Sequence, residues 1–132
     1  MKGSYALVIH LKNERKITVG KLETIAFKKG YYVYIGSALN GLEQRIARHK
    51  RSKKKIRWHI DYLLQHATIE TVFYKENNEK EECNIAQPFS ENLESIPGFG
   101  CSDCSCKSHL FYGNKQEIED ILSSLSMINA NH

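Results

Sequence analysis

Arg45 and His49 stand four residues apart, the spacing that puts two side chains on one face of a helix. A guanidinium stays charged and grips two phosphate oxygens at once. An imidazole titrates near neutrality and can pass a proton. Just ahead of them runs Tyr34-Ile35-Gly36-Ser37-Ala38, which puts a phenol at the end of a strand-forming segment. Together the three groups can attack and stabilise a phosphodiester, because such hydrolysis needs an activated water and neutralisation of the developing charge.

The charge distribution points to the same class of ligand. The chain of 132 residues carries a net charge of +4. Residues 48–57 hold seven basic residues and no acid: Arg48, Lys50, Arg51, Lys53, Lys54, Lys55 and Arg57. Without that run, twelve basic face fifteen acidic residues, a net of −3. A concentrated basic patch directly after Arg45 and His49 attracts a polyanion through phosphate contacts and counterion release. Nucleic acid is the expected partner, DNA in preference to RNA.

These side chains need a scaffold that one domain of this length can provide. The composition, 41% hydrophobic and 26% charged, suits a globular domain with one modest core. Apolar runs are too short to span a bilayer, and the N-terminus lacks a signal-peptide pattern; a cytoplasmic location without a membrane partner is expected. Strand formers fill 4–11, and a polar turn follows at 12–14. A hairpin segment is expected over 16–27, bending at Gly20, and the strongest strand signal lies at 31–38. Leu42, Ile46 and His49 follow helical spacing, as do Ile60, Leu63 and Leu64 in a second helix expected over 56–67. A strand over 68–74 and a helix over 80–86, ending before Pro88, come next. Residues 90–107 read as irregular, 108–112 as a short edge strand, and an amphipathic closing helix spans about 115–128. Strands alternating with helices give an α/β or α+β class.

The ordered motifs resemble the GIY-YIG nuclease superfamily. Gly3-Ser4-Tyr5 matches its first tripeptide, with Ser4 in place of isoleucine, and Tyr34-Ile35-Gly36 is its second. The run from Tyr34 to His49 resembles the family's Arg-then-His pattern on the first helix. Trp58 to Leu64, Glu82-Cys83 and Pro97 to Phe111 resemble a small prokaryotic branch that also occurs fused to endonuclease III. The resemblance runs from Gly3 to about Tyr112. It implies a small, mainly antiparallel sheet flanked by helices and a divalent-metal-dependent endonuclease using Mg²⁺ or Mn²⁺. It further implies a phosphodiester hydrolase acting on DNA, on branched or damaged structures, in the company of DNA-repair proteins.

The resemblance also distributes roles. Tyr34 would be general base with Tyr5 beside it, Arg45 the phosphate clamp and His49 the proton shuttle. His59 would be a second histidine of the site, and Glu82 a single carboxylate for a metal that keeps several waters. Lowering a phenol pKa from about 10 to about 7 takes roughly 4 kcal/mol, expected from Arg45, His49, the basic run and bound metal. The tyrosines are separated by 28 intervening residues; the insertion from about Arg15 to Gly30 is expected to add a hairpin to the sheet edge. Asp61, two residues from His59, reads as that histidine's support or as half of a salt bridge.

Cys101, Cys104, Cys106 and His109 place four soft ligands within nine residues. Zinc binding, a disulfide that includes Cys83 and plain packing all stay open for them. Two rival functions stay open as well: a non-catalytic nucleic-acid binding module, and a zinc-stabilised interaction protein.

Overall fold

Alternation along two long strands decides what lies on each side of the central sheet. In the computed structural model, which describes residues 1–100 and 107–130, β1 (Gly3–Leu11) pairs antiparallel with β4 (Gly30–Ala38) along its whole length, from Gly3 opposite Ala38 to Leu11 opposite Gly30. Successive side chains of a strand face opposite ways. Tyr5, Leu7, Ile9 and Leu11 therefore join Tyr32 and Tyr34 in one core, while Ala6 and Val8 join Val33 and Ile35 in the other.

The six-stranded sheet has the order β6-β7-β4-β1-β5-β8, every pair antiparallel. Its other members are β5 (Thr68–Glu76), β6 (Glu94–Ser95), β7 (Leu110–Gly113) and β8 (Ile128–Asn129). The first core takes Leu42 of α1 (Leu42–Lys50) and Ile60 and Leu63 of α2 (His59–Leu64). The second takes Ile85, Ala86 and Phe89 of α3 (Glu82–Asn92) and Ile118 and Leu122 of α4 (Lys115–Ser124). This is the expected small α+β domain: a mainly antiparallel sheet flanked by helices.

Several boundaries differ from expectation. The 15–30 segment does hairpin, as β2 (Arg15–Thr18) and β3 (Thr24–Phe27), but forms a separate two-stranded sheet instead of extending the edge of the main one. Ile17, Val19 and Phe27 anchor it in the first core. The second helix begins only at His59, because the Arg57 and Trp58 amides bond to the Asp61 carboxylate and Trp58 stays extended. Helix α3 runs through Pro88. Burial of Phe89, stacked on Phe111, favours the turn that proline would otherwise break. Strand β7 is an inner strand, since β6 covers it. The final helix ends early: Ser126 takes φ 62° and Ile128 lies on β8.

One glycine requirement is steric. Tyr5 sits opposite Gly36, and its ring crosses that residue so closely that a Cβ there would lie 2.3 Å from Tyr5 Cζ. Overpacking of this kind costs about 1–3 kcal/mol. Gly36→Ala should lower stability by that amount in denaturant unfolding, and in a Tyr5→Leu background the same change should cost markedly less. Equal costs in the two backgrounds would show that the ring is not what glycine accommodates.

Candidate active site

The full-length β1–β4 pairing solves the sequence separation of the two tyrosines. Tyr5 lies opposite Gly36 and Tyr34 opposite Leu7, so the phenols are diagonal neighbours on one face, with ring centroids 6.5 Å apart. Helix α1 crosses that face with its buried His49 inward, 5.3 Å from the Tyr5 ring and 6.2 Å from the Tyr34 ring. Tyr5 Oη and His49 Nε2 are hydrogen-bonded at 2.7 Å. Arg45, one turn earlier, donates to the Ser37 carbonyl at 3.2 Å, and its charge acts against the rise in the Tyr5 pKa.

Beside these groups opens a cleft of about 530 Å³ lined by Tyr5, Tyr34, Ser37, Arg45, Trp58, His59, Glu82, Cys83 and His109, with Lys80 and Arg57 at its walls. Gly100 shapes one side at φ +75°, with Tyr34 Cε1 and His109 Cβ each 3.2 Å from where a Cβ would stand. Its N–H donates to His59 Nδ1 at 2.9 Å, which leaves the proton of the neutral ring on Nε2. Burial lowers the pKa of His59. Cys83 Sγ lies 3.6 Å from His109 Nε2, and the pKa of His109 is lowered by burial against the opposing charge of Glu82.

Thus Tyr5, Tyr34, Arg45, His59 and Glu82 all face one cleft, with His49 bonded behind Tyr5. Cys101, Cys104 and Cys106 lie outside the described residues. Among the described residues no group of three His, Cys, Asp or Glu is placed to hold a metal ion. The carboxylate that stands ready is Glu82 alone: its Oε2 is buried with no hydrogen-bond partner among the described residues.

Burial sets the proton states of the ligand-free site. Burial pushes the Tyr34 phenol well above its ordinary pKa, and neighbouring Tyr5 adds to this against the opposing pull of Arg45. Burial takes Tyr5 up to about 12 despite Arg45. Burial also takes His49 down to about 3, so the imidazole is neutral at physiological pH. In the ligand-free protein both phenols therefore hold their protons, and the activation of Tyr34 expected with substrate and metal bound concerns a different state.

The basic run divides into two kinds of residue. Arg48 forms a two-pronged ion pair with fully buried Asp61, at 3.0 and 2.9 Å, and also donates to the Lys55 carbonyl. Lys54 donates to the carbonyls of His49 and Arg51, closing the end of α1. Lys50, Arg51, Lys53, Lys55 and Arg57 are exposed. Sequence reasoning passed over Trp58 as a site residue; its ring lies under the guanidinium groups of Arg45, Arg48 and Arg57 at 4.5, 4.2 and 5.5 Å. It also left Asp61 undecided. An Asp at the third position of a helix, after an extended residue, is a capping signal, and this was the cue available.

Two stability effects follow. Removing one partner of a buried ion pair strands the other, so Asp61→Asn should cost about 3 kcal/mol in urea unfolding. An unchanged midpoint would mean that water solvates Arg48. Because unfolded His49 binds a proton below its ordinary pKa and folded His49 does not, stability should fall as pH drops from about 6.5 towards 3, by up to roughly 4 kcal/mol. His49→Gln, able to accept from Tyr5, should flatten that acid limb between pH 6.5 and 4. An equally steep limb in the variant would place the titration elsewhere.

Comparison with curated proteins and with solved structures gave no match. A family model described as a domain of unknown function, DUF123, matches residues 4–130, nearly the whole chain. The chain belongs to the DUF123 family.

Proposed function

We propose that this protein is a GIY-YIG-like endonuclease that hydrolyses phosphodiester bonds in DNA with the help of Mg²⁺ or Mn²⁺. The observation that carries the reading is convergence. Two phenols, a guanidinium, the imidazoles of His59 and His109 and a carboxylate, drawn from positions 5 to 109, meet at one open cleft beside an exposed basic run. A binding module needs the cations but not the buried Tyr5–His49 hydrogen bond or a Glu82 oxygen that has no partner among the described residues.

Glu82 suits a hard divalent ion, which takes oxygen ligands and completes its shell with water and substrate phosphate. Such an ion would neutralise charge on a phosphoryl oxygen as a Lewis acid. Arg45 holds the scissile phosphate, and its stacking on Trp58 limits its motion. As an attacking water gives a proton to Tyr5 Oη, Tyr5 can hand its own to His49 Nε2 across their 2.7 Å contact. The entering phosphate, opposite in charge to imidazolium, raises the proton affinity of His49 above its ligand-free value. Tyr34, kept protonated by burial, serves best as O–H donor to the leaving oxygen. The proton states thus favour Tyr5 over Tyr34 as the first proton acceptor.

The test is cleavage of labelled duplex, nicked, flap and four-way DNA in Mg²⁺ or Mn²⁺. Tyr5→Phe, Tyr34→Phe and Glu82→Gln should each lower the rate by about 10²-fold or more, and a chelator should abolish it. Binding without cleavage of any substrate, at either metal, would leave the non-catalytic nucleic-acid module as the function.

A further inference from the structure

The active-site cleft does not end at Trp58. Arg45, Arg57 and Trp58 line it and also line a neighbouring cavity of about 410 Å³, to which Arg48 and Arg51 contribute. Arg48, Arg51 and Arg57 in turn wall a third cavity of about 540 Å³, completed by Lys53, Lys54 and Lys55. Among the described residues neither outer cavity has a carboxylate in its lining; Asp61 is fully buried and faces Arg48. The α3 side of the cleft differs: there Lys80 stands with Glu82, and the charges offset one another.

Hydrogen bonds decide which cations remain for a ligand. Arg48 is spent on Asp61 and Lys54 on two backbone carbonyls. Arg51, Lys53, Lys55 and Arg57 are exposed on the same turn. A row of outward cations that starts at the phosphate clamp and has no acid beside it fits a ligand with repeated phosphates, and it lies on one side of the cleft.

We propose that the strand being cut runs from the cleft over Trp58 into the 51–57 turn, so that the substrate is gripped by its phosphates on one side of the scissile bond. This rests on the nucleic-acid reading of the cleft and goes beyond it by assigning the direction of grip. Internal cations such as Lys54 shape the track, and exposed ones such as Lys53 and Lys55 bind along it.

The test measures affinity for a short labelled DNA duplex against salt concentration, in chelator so that no cutting occurs. Lys53→Ser/Lys55→Ser is compared with Lys12→Ser/Lys29→Ser, which removes the same charge at the far end of the β1–β4 pair, where Leu11 meets Gly30. The slope of log affinity against log salt should fall by about two for the first pair and stay unchanged for the second. Equal changes in both variants, or none in the first, would overturn the track. A second arm uses the substrate that is cut, with uncharged methylphosphonates on one flank of the scissile bond or the other. Weakening should follow one flank only, and equal weakening from both flanks would overturn the one-sided grip. Salt-dependent binding along the track without cleavage under any metal would refute the nuclease and leave the track standing.

Discussion

The Asp61 carboxylate is the point on which the site's geometry depends. It is fully buried yet ionised: burial alone would raise its pKa, but the Arg48 guanidinium and the amides of Trp58 and Arg57 hold it below the ordinary carboxylate value. Those same bonds start α2 at His59, fix the turn that carries the basic run, and press Arg48 onto Trp58. Trp58 then backs Arg45, whose charge acts against the raised pKa of both phenols. A charge placed in the interior is tolerated only when its lone pairs are satisfied, so the arrangement has little freedom to relax piecemeal.

Burial has a second consequence, for protons. The phenols and His49 occupy the face of the sheet that forms the larger core, and removing water disfavours whichever form of each is charged. The ligand-free site is therefore a neutral hydrogen-bonded pair, Tyr5 to His49, under one fixed positive charge, Arg45. A site of that kind does not hold an activated base in waiting. A ligand that brought negative charge into this poorly solvated space would act on it strongly, because electrostatic interactions there are stronger than in water.

Among the basic residues, local chemistry and tertiary contacts act on identical side chains in different ways. Lys53, Lys54 and Lys55 are adjacent and of one type, yet the middle one caps α1 while its neighbours point to solvent. Net charge over 48–57 therefore overstates the cation count that a polyanion meets, since Arg48 is already neutralised.

Much of this was legible in the sequence, because short-range physics writes it there. Two-residue alternation marks β1 and β4, and helical spacing brings Arg45 and His49 to one face. Only the tertiary structure decided the rest. Strand register set Tyr5 across Gly36 over a gap of 30 residues, and packing, not propensity, carried α3 through Pro88 and kept the β2–β3 hairpin off the sheet edge. The proton states of Tyr5, Tyr34 and His49, and the capture of Arg48 by Asp61, depend on how much water each group loses and which charge it meets. Those quantities arise between residues distant in the chain, and no local pattern encodes them.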